Sequence, residues 1–189
     1  WYQADIGVRD DRIIRIGNLS GEEAERYIDA RDLVVSPGFI DPHTHALRGI
    51  FDVPNAESAL LQGVTTLTEG NDGSSPYPID RHYADIQDLR ISPNWAVFVG
   101  QGTIRQRVIG FGLRKASPQE MERMKQMVRD AMEQGALGIS TGLFYVPGSF
   151  TSTEEVIELS KVAAEYDGIY ISHVREEAAQ LLDSVQETI

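Results

Sequence analysis

From Pro37 onward the sequence alternates short β-branched runs with amphipathic stretches, the pattern of parallel strands joined by helices. Phe39-Ile40 opens the series as an apolar pair behind Pro37-Gly38, as a buried parallel strand does. A short helix over 55–62 with Gly63 as its C-terminal cap precedes a second strand, Val64-Thr65-Thr66-Leu67-Thr68. A helix over 80–90 and a strand over 95–99 follow. Ser117-Pro118-Gln119-Glu120 is a capping box with proline at the first helical position. The helix it opens places Met121, Met124, Val128 and Met132 on one face, read as a core stripe rather than a methionine-lined site. A fourth strand over 136–140, a helix over 153–166, a fifth strand over 168–173 and a helix over 176–189 complete the pattern.

The expected class is therefore α/β, with about five strands of a (β/α)8 barrel in residues 37–189. Such a barrel takes ~250 residues, and about 150 follow Pro37, so the chain is expected to be part of a longer protein. Residues 1–36 form a separate small β unit in this reading. Its strands are Asp5–Val8 and Arg12–Ile16, turned by Asp10-Asp11, then Tyr27–Ala30 and Leu33–Val35.

Chemistry in such barrels gathers at the carboxyl ends of the strands. The first strand ends in Asp41-Pro42-His43-Thr44-His45 and the fifth in His173. Side chains in a strand alternate between faces, so His43 and His45 are expected to point the same way. Two imidazoles so placed can bind one or two transition-metal ions. The chain has 189 residues, no cysteine and four histidines, so any metal must be held by imidazole and carboxylate. His82, the fourth histidine, falls within a helix away from any strand end and is expected at the surface.

A net charge of −12 argues against nucleic acid or an anionic membrane as partner. No apolar run approaches the ~20 residues of a membrane helix, and no basic-then-apolar leader is visible. The lack of cysteine leaves the cytoplasm as the expected compartment.

With these blocks in view, the chain resembles the amidohydrolase superfamily, and within it the N-acyl-D-amino-acid deacylases. The resemblance rests on Pro37–His45, Gly63-Val64-Thr65-Thr66, Gly70-Asn71-Asp72-Gly73, Gly135–Tyr145 and Ser172-His173-Val174-Arg175-Glu176-Glu177. It implies a zinc-dependent hydrolase of amide bonds acting on a small N-acyl amino acid. Dipeptidases and cyclic-amide hydrolases of the isoaspartyl dipeptidase and dihydroorotase kind are the alternative, and a non-catalytic binding member is a further one. The resemblance also makes residues 1–36 the beginning of a small β-sandwich. It carries metal ligation, by one or two zinc ions, to His43, His45 and His173. Asp72 stands where the family usually has a bridging cysteine, with Glu69 as the competing carboxylate. Asp41 is expected to orient the ligands or cap the turn. Tyr145 and Arg175 are expected to face substrate, while a general acid/base Asp is expected beyond residue 189. Two positions depart from the pattern. Gln101 replaces a usual histidine, and Ile139-Ser140-Thr141 stands where hydantoinases and dihydroorotases carry a carbamylated lysine.

Overall fold

A left-handed Asp10 (φ 53°) reverses the chain between strands β1 (Asp5–Arg9) and β2 (Arg12–Gly17), an antiparallel pair with Asp5 opposite Gly17 and a bulge at Gly7/Val8. The computed structural model describes residues 2–189 and divides between Pro37 and Gly38 into two units. In the first, the strands expected at 27–30 and 33–35 do not form. Local polar contacts compete there: the Tyr27 hydroxyl donates to Glu22 O (2.8 Å) and accepts from Ala24 N (2.9 Å), and Asp29 caps Arg31 N at 3.1 Å. Asp32 then turns left-handed at φ 62°. Among the described residues this unit's sheet has two strands, and a sandwich requires a second sheet to pack against it.

The second unit is built of parallel βα units. Strand β3 (Phe39–Asp41) is followed by the short helices α1 (Leu47–Ile50) and α2 (Glu57–Leu60), then β4 (Val64–Glu69) and α3 (Ile79–Leu89). Next come β5 (Asn94–Val97), β6 (Val99–Gly100), α4 (Gln101–Val108), α5 (Pro118–Glu133) and β7 (Gly138–Gly142). A 3₁₀ turn (Gly148–Phe150), α6 (Thr153–Ala164), β8 (Ile169–His173) and α7 (Leu181–Thr188) complete the unit. Strand orders are β3-β4-β5 and β6-β7-β8, parallel throughout. The single strand expected over 95–99 breaks at Phe98, whose N–H turns to Glu69 O (2.8 Å). Its first part pairs with β4 and its second with β7.

Helices α3, α5 and α6 bury their apolar faces on these strands, and α4 adds Ile104. Ile79, Val97, Val99, Ile104, Met124, Val128, Ile139, Leu159 and Val162 form the core, each stabilising by roughly 1.5–3 kcal/mol. The methionine face of α5 is part of it. Its capping box is present, with Ser117 Oγ accepting from Glu120 N (3.3 Å) and Glu120 accepting from Ser117 N (2.8 Å).

One helix is unforeseen and one expectation is corrected. Helix α4 has no sequence signal, because its inward face is polar: Gln101 and Arg105 are fully buried. His82 is not at the surface but is 6% exposed on α3, its Nε2 accepting from the Trp95 indole N–H at 2.9 Å. Burial pushes its pKa below 6.5, against the opposing charge of Asp85.

Candidate metal centre

β3 stops at Asp41, so His43 and His45 lie in the loop beyond it and not within the strand. What aligns them is a pinned loop rather than a strand pleat. Asp41 Oδ1 accepts from His43 N (3.1 Å), capping the turn. Thr44, between the histidines, donates its N–H to Thr68 O (3.1 Å) and its hydroxyl to the same carbonyl (2.7 Å). The buried Glu69 carboxylate stands 2.9 Å from the Thr44 hydroxyl and accepts from Leu47 N at 2.9 Å. The two imidazoles end with ring centroids 5.3 Å apart.

After β4 the chain makes the turn Gly70-Asn71-Asp72-Gly73, with φ of 80° at Gly70, 55° at Asp72 and 74° at Gly73. Asp is among the residues that tolerate the left-handed region, and such strain gathers at functional sites. Asn71 ties the turn to the histidine loop by donating to Thr44 O at 2.9 Å. The Asp72 carboxylate then faces three rings: Oδ1 lies 3.5 Å from His43 Nε2 and 3.6 Å from His173 Nδ1, and Oδ2 lies 3.2 Å from His45 Nε2. Ligating atoms of His43, His45 and Asp72 all fall within 4.8 Å of one another. Glu69 is spent on the Thr44 loop.

His173 ends β8, on the same side as the β3 and β4 loops. Its Nε2 sits 2.7 Å from Glu177 Oε1 without hydrogen-bond alignment. The Tyr145 hydroxyl lies 3.4 Å from its Nδ1, with ring centroids 4.7 Å apart. Phe144 packs on the same ring at 5.8 Å. The cluster fits a divalent metal on its own chemistry. Asp72 Oδ1 is buried among imidazoles with no hydrogen-bond donor among the described residues, and a buried carboxylate oxygen without a partner is costly unless a cation joins it. His43, His45 and Asp72 converge as a zinc-type donor set, and the His173 ring stands beside it with Nδ1 3.6 Å from Asp72 Oδ1, outside the group whose ligating atoms converge.

Arg175 does not face an open mouth. Its Nε and NH2 donate to Glu187 (2.9 and 2.7 Å), and NH1 and NH2 reach the carbonyls of Ser149 (3.3 Å) and Thr151 (3.0 Å). Its guanidinium is thus committed to holding α7 and the 150-loop. Gln101 is sealed under α6, donating to Thr151 Oγ1 (2.8 Å) and Glu155 Oε1 (3.2 Å). Three residues contribute to the site without a role that the sequence assigns them. Asn71 and Glu177 lie inside recognisable motifs, and the turn signature around Asn71 is a local signal that could have found it. Ser140 on β7, bonded to Gly70 O and Gly73 N of the Asp72 turn, carries no such signal, since those partners lie about seventy residues away.

A sequence profile of the amidohydrolase family matches residues 26–185. The D-aminoacylase of Alcaligenes xylosoxydans xylosoxydans is 38% identical over 98% of this chain and 43% of its own length. The N-acyl-D-glutamate deacylase of the same organism is 32% identical over 99% and 43%. Among solved structures, a D-aminoacylase superimposes with TM-score 0.87 at 35% identity, covering 99% of this chain and 44% of the other. The N-acyl-D-glutamate deacylase of Bordetella bronchiseptica, complexed with zinc and a phosphonate mimic of the tetrahedral intermediate, gives TM-score 0.92 at 33% identity, covering 98% and 44%. The chain thus spans less than half the length of these relatives.

Proposed function

Because this chain belongs to the amidohydrolase family, we propose that the full-length protein is a metal-dependent deacylase that cleaves the amide bond of N-acyl-D-amino acids. We read residues 37–189 as the first half of its (β/α)8 barrel, strands one to five, and residues 1–36 as the beginning of a small β-sandwich. The observation that carries the reading is the Asp72 carboxylate, whose buried Oδ1 has no hydrogen-bond donor among the described residues and which is faced by His43, His45 and His173. These four residues would hold one or two zinc ions. Zinc supplies Lewis-acid polarisation of a carbonyl and makes water a competent nucleophile near neutral pH.

The chain's own residues position and shield the site. Asp41, Glu69 and Asn71 hold the histidine loop and the Asp72 turn in register. Tyr145, half-exposed beside His173, presents a hydroxyl where a small acyl substrate meets the metal side of that ring, and we assign it to substrate binding. Phe144 and Tyr145 shield one face of His173 from water. Proton transfer to the leaving amine is assigned to an Asp outside residues 1–189. Arg175 supports the site through its ion pair with Glu187 rather than by touching substrate.

The test is to incubate the zinc-loaded full-length protein with N-acyl-D- and N-acyl-L-amino acids and with cyclic imides, following release of free amino acid. Release from the D-series well above the L-series is expected. Turnover confined to cyclic imides would replace the deacylase reading with that of a cyclic-amide hydrolase.

A further inference from the structure

One buried hydroxyl holds both ends of the turn that presents Asp72. Ser140 lies on β7 and is completely buried. Its Oγ donates to Gly70 O and accepts from Gly73 N at 3.2 Å. Gly70 and Gly73 flank Asn71-Asp72, so this hydroxyl closes the loop from strand to turn. The clamp works against backbone at very short range. A Cβ on Gly142 would lie 2.1 Å from Asp72 O, one on Gly73 would lie 2.7 Å from Gly142 N, and one on Gly100 would lie 2.5 Å from Gly73 C. The turn is therefore seated on the β6 and β7 backbones.

We propose that Ser140 is a positioning residue for the metal centre: its hydroxyl sets the Gly70–Gly73 turn so that the Asp72 carboxylate meets the three histidines. Backbone strain is what makes such a clamp necessary. Asp72 sits at φ 55° between two glycines that are also left-handed, Gly70 and Gly73. A turn of that kind relaxes readily unless neighbouring structure over-determines it. On the histidine side Asn71 supplies one tether, to Thr44 O at 2.9 Å. On the opposite side the side-chain tether is Ser140. Groups that orient a ligand typically carry a 10- to 100-fold effect on metal affinity. The inference rests on the metal reading above and assigns Ser140 no contact with substrate or metal.

Thr141 provides the internal control. It is equally buried on the same strand, and its hydroxyl pairs with Ser172 Oγ and Tyr170 OH, both at 2.8 Å, without touching the turn. In the full-length protein, zinc affinity is measured by chelator competition and the cobalt-substituted site by its visible absorption, beside thermal melting, for Ser140→Ala, Ser140→Cys and Thr141→Val. Ser140→Ala should weaken zinc binding by about 10- to 100-fold and alter the cobalt spectrum. Ser140→Cys, whose thiol is a weaker donor of similar shape, should fall between it and wild type and serves if the alanine variant does not fold. Thr141→Val should lower the melting temperature while leaving zinc affinity within about twofold. Equal zinc affinity for the Ser140 variants and Thr141→Val would overturn the proposal and make Ser140 an ordinary buried hydroxyl. Wild-type protein that takes up no zinc would instead overturn the metal reading on which it stands.

Discussion

Glu155 and Asp72 are both withdrawn from bulk water, and their surroundings are opposite. Glu155 on α6 is fully matched: Arg105 NH1 lies 2.8 Å from each of its oxygens, and Gln101 Nε2 adds a third donor at 3.2 Å. Arg105 is held in turn, donating through NH2 to Arg114 O at 2.6 Å. Among the described residues, the Asp72 carboxylate is faced by imidazole nitrogens at 3.2 to 3.6 Å, and its Oδ1 has no aligned donor. A buried carboxylate balanced by a fixed guanidinium has its own charge met, while Arg105 Nε and Gln101 Oε1 beside it have no hydrogen-bond partner among the described residues. A carboxylate surrounded by rings that can each turn a lone pair inward is arranged for a cation the chain does not itself possess. The first cluster joins α4 to α6, and the second is suited to chemistry.

The contrast can be broken at four places. Asp72→Ala should bring the largest loss, taking bound zinc and the proposed deacylase activity of the full-length protein to background while the fold persists; metal analysis beside a melting curve checks it. Retained zinc with intact activity would return the ligand role to another residue. Arg105→Met should do the reverse. Removing one partner of a buried pair costs about 3–5 kcal/mol, read by denaturant unfolding, whereas zinc bound per folded molecule should be unchanged. Glu69→Gln should cost less, about 1–3 kcal/mol for weakened charge-assisted bonds at Thr44 and Leu47. Its metal affinity should drop only through the loosened histidine loop, which separates it from Asp72→Ala in a zinc titration.

The smallest effect concerns His82, held neutral by burial against Trp95. Its folded pKa lies below its ordinary value of 6.5, so the unfolded chain takes up the proton first. Its contribution to stability is complete above pH 6.5 and declines as the pH falls from there to the folded pKa. Stability measured by urea unfolding across that range should show this acid loss, and His82→Gln, which keeps an acceptor for the indole, should flatten it.

Patterns that depend on neighbours along the chain are legible in the sequence alone. Helix α5 is readable because its capping box and its apolar spacing are local. Strand β4 is readable as a β-branched run between Gly63 and Gly70, and β8 as an apolar run behind Gly168. The pairing of His43 and His45 with His173 at the strand ends follows from the order of βα units. Tertiary contacts decided the rest. Tyr27–Ala30 and Leu33–Val35 have strand composition, yet a strand also needs a hydrogen-bonding neighbour, and local polar bonds took its place. Helix α4 buries Gln101 and Arg105 only because Glu155, some fifty residues on, is there to meet them. Glu69 and Asp72 compete as carboxylate ligands in the sequence. The parting came from Thr44 and Leu47 claiming one carboxylate, and from Ser140 holding the turn that carries the other. Residue type and spacing determined which groups could bind a metal, and hydrogen bonds across strands determined which of them face it, because direction is set by partners distant in the chain.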